Sequence, residues 1–131
     1  MAIRVVQLGS PRSQNEGLRL GTVRRPPRGV PRAEYAARDH YDVWLPELAP
    51  SASLLSWVRA KPLSTPRWHT FARRYRAEMR TPSAQHLITL LAAMSGQQNL
   101  SVGCYCEDES ICHRSLLKIL LERAGAVMED E

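Results

Sequence analysis

Residues able to do chemistry concentrate between Cys104 and Ser115, a stretch that holds Cys104, Cys106, Cys112, His113, Arg114 and Ser115. It contains all three cysteines of the chain. Cysteine offers a thiolate nucleophile or a soft metal ligand, and histidine an acid–base group near neutral pH. Arginine offers a fork that grips phosphate or carboxylate in two places. Cys112, His113 and Arg114 are the expected catalytic residues, because they fall in the first turn of a helix that Ser110 is expected to cap. Free N–H groups and the positive end of the dipole there favour an anion, or a thiolate at Cys112. Cys106 stands at the carboxyl end of the preceding strand, the edge where open α/β sheets bind ligands. Cys106 and Ser115 are therefore expected to contact a ligand.

A second constellation is Arg24, Arg25 and Arg28 in Arg24–Pro31, where Arg24 and Arg28 are expected to bind the same anion. Rigid loops that present several arginines line anion sites, although a solvated surface loop has the same composition. The acidic triplet Glu107, Asp108 and Glu109 works against this reading, since it would repel a polyanion and raise the pKa of a nearby thiol. Arginines of the 24–28 loop would have to meet it. The thiol-phosphatase loop is not matched: seven residues separate Cys106 from Arg114, one separates Cys112 from Arg114, and no glycine lies between. Cys104, Cys106, Cys112 and His113 form a possible Cys₃His metal set. The spacing is poor, because Cys-x-Cys on a flat strand diverges and adjacent helical residues point about 100° apart. No metal ligand is assigned. The plainest alternative is that the cysteines fill the core, His113 bonds a neighbouring loop and Arg114 pairs with the acidic loop.

The elements that must position these residues follow from periodicity. Ile3–Gln7 is β-branched and apolar and suits a strand, ended by Gly9-Ser10-Pro11. Leu18–Val23 alternates as a second strand, and Tyr41–Leu45 is a short third one stopped by Pro46. Ala33–Arg38 fits one or two helical turns. Pro50-Ser51 opens a helix with Leu54, Leu55, Trp57 and Val58 on one side. Ser64-Thr65-Pro66 opens another with Trp68, Phe71, Tyr75 and Met79 as its core stripe and Arg73, Arg74, Arg76 and Arg80 toward solvent. Ser83–Ser95 is a third helix, with Leu87, Leu90, Leu91 and Met94 inward. Leu100–Cys106 is the clearest strand and should be central, with Cys104 an inert buried thiol. Cys112–Ala124 is the last helix, with a wide apolar arc. Residues 126–131 are expected to be a frayed acidic tail. The whole is a single small α/β domain spanning 1–131, with a mixed or mostly parallel sheet of about four strands packed with helices.

Composition sets the outer bounds. With 131 residues, 44% of them hydrophobic, the chain can bury a core of one domain. No run is long and apolar enough for a membrane span, and the start lacks the pattern of a signal peptide. An odd number of cysteines argues against a secreted disulfide framework, so a cytoplasmic setting is expected. The formal charge of +5 favours anionic partners. A small anionic or nucleotide-like ligand comes first. Nucleic acid is the alternative, through the arginines between Arg59 and Arg80, although no reading motif is present. A metal-stabilised interaction module is the third reading. The residues name no cofactor, substrate or reaction.

Gly-Leu-Arg-Leu followed by Val-Arg-Arg-Pro-Pro-Arg-Gly, then Asp42-Val-Trp-Leu-Pro-Glu-Leu-Ala-Pro-Ser51, Trp68-x-x-Phe71-x-x-x-Tyr75-x-x-Glu78 and Cys104-Tyr-Cys-Glu-Asp-Glu…Cys112-His-Arg-Ser115 resemble the domain-of-unknown-function family 488, including its YeaO-like branch. The likeness runs over nearly the whole chain. It implies a small α/β domain whose Cys-His-Arg run falls on Cys112, His113 and Arg114 and whose arginine loop falls on Arg24 and Arg28. Pro26 departs from the tryptophan common in YeaO-like members. The resemblance implies no established activity.

Overall fold

A computed structural model describes residues 1–129 apart from 107, 109 and 110. Four strands, β1 (Ile3–Gln7), β2 (Leu18–Gly21), β3 (Val43–Trp44) and β4 (Leu100–Cys104), form one sheet in the order β1-β4-β2-β3. All their pairings are parallel, with Ile3 and Leu18 both opposite Leu100, and Val5 and Leu20 both opposite Val102. The latest strand is central, as expected from its apolar residues.

Four helices form, α1 (Ala52–Arg59), α2 (Thr65–Glu78), α3 (Pro82–Met94) and α4 (His113–Arg123), and the first two follow the caps read from the sequence. Ser51 Oγ accepts from the Leu54 N–H and Ser64 Oγ from the Arg67 N–H, each satisfying an orphan donor of a first turn. Glu78 of α2 accepts from both the backbone and the hydroxyl of Ser51, which ties the start of α1 to the end of α2. Between Arg24 and Val30, prolines exclude regular structure, and the helical turns expected over Ala33–Arg38 shrink to a 3₁₀ turn at Arg32–Glu34.

The helices pack on one face of the sheet. Ile3, Leu20, Leu100 and Val102 from the strands meet Leu54, Phe71, Tyr75, Ile88, Leu91, Leu116, Leu117 and Leu121. Each leucine removed from water here contributes roughly 2 kcal/mol. Trp68, Phe71 and Tyr75 stack in series along α2, and the Tyr75 hydroxyl donates to the Leu48 carbonyl at 2.8 Å. In α3 the buried positions are Ala84, Ile88, Leu91 and Ala92, whereas Leu90 is 53% exposed. Of the stripe expected there, Leu87, Leu91 and Met94 pack on the core and only Leu90 turns to solvent. The arc of α4 is narrower than expected too, since Ile119 is exposed.

The opposite face is covered by connections, held by a buried ion pair. Arg19 of β2 donates through Nε and Nη2 to both carboxylate oxygens of Glu16, each at 2.8 Å, and through Nη1 to the carbonyls of Ser10 and Asp39. Ser101 of β4 donates to the same carboxylate. Tyr41 lies flat on Gly21, leaving no room for a Cβ there.

The expectation of a tail frayed from residue 126 is corrected. Ile3 N–H donates to the Val127 carbonyl and the Glu129 N–H to the Ile3 carbonyl, so 127–129 line the outer side of β1. Glu129 also pairs with Arg4. Residues 130 and 131 lie outside the described residues.

Candidate functional site

A cleft of about 550 Å³ opens at the carboxyl ends of β2 and β4. Val23, Arg24, Arg25 and Arg28 line one side, and Cys104, Tyr105, Cys106 and His113 another. The third wall comes from α1, whose Ala52, Leu55, Ser56 and Arg59 recur at helical spacing on one face. Of the four residues expected on the inward side, Leu54, Trp57 and Val58 pack on the core, whereas Leu55 borders the cleft. The two constellations of the sequence therefore share one cavity. Among the described residues, its lining has four arginines and no carboxylate. Glu107 and Glu109, expected to oppose an anion, lie outside the described residues.

The arginines divide by role. Arg24 donates to the carbonyls of Pro50 and Ala49, which fixes the loop against the start of α1. Arg25, Arg28 and Arg59 are exposed and make no hydrogen bond or ion pair among the described residues. Their guanidinium groups are available to a ligand. Arg59 and Ser56 were missed as cleft residues because helical amphipathicity shows only that a face exists, not which cavity it borders.

Strand β4 ends at Cys104, two residues short of the expected Cys106. This corrects the expectation that Cys-x-Cys diverges: beyond the strand, the chain turns and brings Cys106 back. The sulfurs of Cys104, Cys106 and Cys112 all lie within 4.8 Å of one another. Cys104 and Cys112 are each 2% exposed with sulfurs 2.8 Å apart, whereas Cys106 is open to the cleft. The three share their ionisation. Thiol hydrogen bonds from Cys104 and Cys112, and then the charge of Arg114, pull Cys106 far below the ordinary thiol range. Its partners Cys104 and Cys112 are pushed up. The negative charge rests on the accessible sulfur. Cys104 is buried as expected, but as a member of this cluster rather than an isolated core thiol.

Cys112 occupies the capping position of α4, so His113 is its first residue. Ser110, expected as the cap, lies outside the described residues. His113 Nε2 stands 2.8 Å from the Thr22 carbonyl and 3.2 Å from the Thr22 hydroxyl, which itself donates to the Gly103 carbonyl. A carbonyl only accepts, so Nε2 carries the proton and Nδ1 turns its lone pair toward Cys112 Sγ, 3.6 Å away. Burial lowers the His113 pKa to about 4, and the imidazole is neutral at physiological pH. Thr22, read only as a strand residue, was the missing partner. Arg114 is 3% exposed, does not line the cleft, and donates through Nη2 to the Cys106 carbonyl. Ser115 donates back to the Cys112 carbonyl at 2.9 Å and is also outside the lining.

The Cys-His-Arg run thus projects in three directions: Cys112 into the sulfur cluster, His113 against β2 and Arg114 under the loop carrying Cys106. Three sulfurs could ligate one soft metal ion, but His113 does not complete the Cys₃His set, because it lies outside the cluster.

A parallel α/β domain with a thiol cluster at the carboxyl edge of its central strand is the class that fold and site define. The model of the family DUF488-N3a, described as the active DUF488-N3 subclade, matches residues 3–125, and the chain belongs to this family. No curated protein and no solved structure matches the chain significantly. No helix among the described residues is long and apolar enough to cross a membrane.

Proposed function

We propose that the protein binds a small anionic ligand in the arginine-lined cleft and presents Cys106 to it as a nucleophile. Arg25, Arg28 and Arg59 hold the anionic group. His113 and Arg114 act behind them, the first orienting Cys112 and the second fixing the backbone of Cys106. The observation that carries this reading is the shared cavity: three arginines without partners among the described residues face an exposed, acidic thiol across it. The description of the subclade as active accords with a reacting group rather than a passive one. A cluster of unpaired thiols suits a reducing, cytoplasmic setting.

Calorimetric titration of inorganic phosphate and adenosine monophosphate tests the binding half. Double substitution Arg25→Ala and Arg28→Ala should weaken binding by at least about ten-fold, the value of one charge-assisted hydrogen bond. Equal affinity of the wild type and the double variant for both probes would overturn the reading. Binding of a random-sequence oligonucleotide that is lost instead on substitution of Arg73, Arg76 and Arg80 would transfer the function to the outer face of α2.

A further inference from the structure

We propose that Cys106, Cys104 and Cys112 form a thiol relay that reduces small anionic disulfides entering the cleft and ends in a buried Cys104–Cys112 disulfide. The substrate class rests on the anion-binding reading above; the relay rests on the positions of the sulfurs. Cys106 is the sulfur exposed in the cleft beside the arginines, so it meets an incoming electrophile. The other two are 2% exposed, beyond reach of a bulky reagent but within 4.8 Å of the first. Their own separation, 2.8 Å, bears on the alternative of a metal site. Two thiolates on one tetrahedral zinc, each at about 2.3 Å from it, stand about 3.8 Å apart. The Cys104 and Cys112 sulfurs are nearer than that, so a covalent bond of about 2.05 Å requires only a short approach.

The chemistry balances without a further reagent. The Cys106 thiolate attacks one sulfur of the disulfide, forming a mixed disulfide and expelling one thiolate of the substrate. Cys112 then attacks the Cys106 sulfur, giving Cys106–Cys112 and releasing the second half of the substrate. The Cys112 proton is lost to solvent through the cleft, and the expelled thiolate takes one up in exchange. Cys104 next attacks the Cys112 sulfur, loses its proton to solvent through the cleft, and expels Cys106 as a thiolate. The substrate has gained two electrons, the buried pair has lost two, and the entry thiol is restored. Attack by a thiolate on a disulfide sulfur through a mixed disulfide is the general course of such exchange.

The reduced protein, purified without an affinity tag, would be treated with glutathione disulfide, which carries carboxylates on both halves, and separately with cystamine, which carries amines. Mass spectrometry over time should show a glutathionyl adduct at Cys106 that rises and decays, leaving a protein lighter by two hydrogens. Peptide mapping without reductant should then find Cys104 joined to Cys112. Cys106→Ser should slow the reaction at least about a hundred-fold. The wild-type time course decides the matter even if a cysteine variant fails to fold. A stable adduct on Cys106 with no internal disulfide would overturn the relay while leaving anion binding intact. So would stoichiometric zinc that blocks all three thiols until a chelator is added. The anionic disulfide should react at least about ten-fold faster than cystamine at low salt, with the gap closing as salt screens the arginines. A completed relay with equal rates for the two reagents would overturn the anionic substrate class and the binding reading with it.

Discussion

Thr22 and His113 are separated by ninety-one positions in the chain, yet the carbonyl of one receives the Nε2 proton of the other at 2.8 Å. This bond joins the end of β2 to the first turn of α4 and fixes the tautomer, while burial keeps the imidazole neutral. The linkage has a definite sign. The folded-state pKa of His113 is lowered from 6.5 to about 4, so the unfolded chain binds more protons between those values, and stability falls as pH drops through that window. The loss should reach about 2 kcal/mol by about pH 5. Urea unfolding at about pH 7 and about pH 5 checks it. His113→Gln, which keeps a donor for Thr22 but does not titrate, should flatten the dependence.

Reactivity of Cys106 should be nearly independent of pH where ordinary thiols are not. A free cysteine alkylates on the order of a hundred-fold faster at about pH 8.5 than at about pH 6, because its thiolate fraction rises by that factor. Cys106 is already ionised across this range. Iodoacetamide labelling followed by peptide mass spectrometry should modify Cys106 first and at a rate that changes less than about three-fold, while Cys104 and Cys112 label only on unfolding. Labelling of all three at one rate would remove the argument for a shared charge.

The buried pair Glu16–Arg19 should be costly to break. Burial alone would raise the Glu16 pKa, but hydrogen bonds from Arg19 and Ser101 and from the Ser13 N–H outweigh it and hold the group below its ordinary value. Its contribution is complete above the unfolded-state value of 4.5 and is lost as pH falls through the lower folded value. Glu16→Gln leaves the Arg19 charge buried without a counter-ion, and should destabilise by about 3–5 kcal/mol in chemical denaturation at neutral pH.

Gly21→Ala tests how tightly the back of the sheet is closed. A Cβ at this position would fall 2.4 Å from Cδ2 and 2.7 Å from Cγ of the Tyr41 ring. The ring is a rigid plate, so its whole segment must move, at a cost of about 1–3 kcal/mol. Gly29→Ala meets no atom within 4 Å, but its φ of +72° makes it a test of backbone strain alone, with a smaller loss of about 1 kcal/mol. Thermal melts of the two variants separate the effects.

Much of the fold was legible because its signals are local. The caps at Ser51 and Ser64, the prolines in the first turns of α2 and α3, and the apolar run of β4 each act over a few residues. The central position of β4 followed from its lack of a polar face. What was not legible depends on neighbours remote in sequence. Arg19 alternates as if toward solvent, and only the connections that cover it turn it into a buried ion. Leu90 fits the helical stripe of α3 as well as Ile88 does, and contact with the other elements decides between them. At the site, the residue types of Cys104–Ser115 marked the place. Their directions depended on the strand ending at Cys104 and on Thr22, a partner that no spacing rule could have supplied.

The strand order carries a kinetic consequence. β1 and β2 are successive in the chain but do not touch; β4 must be inserted between them, and it follows β2 only after three helices. The sheet therefore cannot close from its first strands, and pairing residues so far apart in the chain slows folding. On a ribosome, the amino-terminal strands would emerge and wait, their inner edges unpaired, until β4 was made. Since β4 and α4 also carry Cys104 and Cys112 and bring His113 against Thr22, the last step of folding and the assembly of the thiol cluster are the same event. Refolding followed by protection of the cysteines and by tryptophan fluorescence should show one shared slow phase.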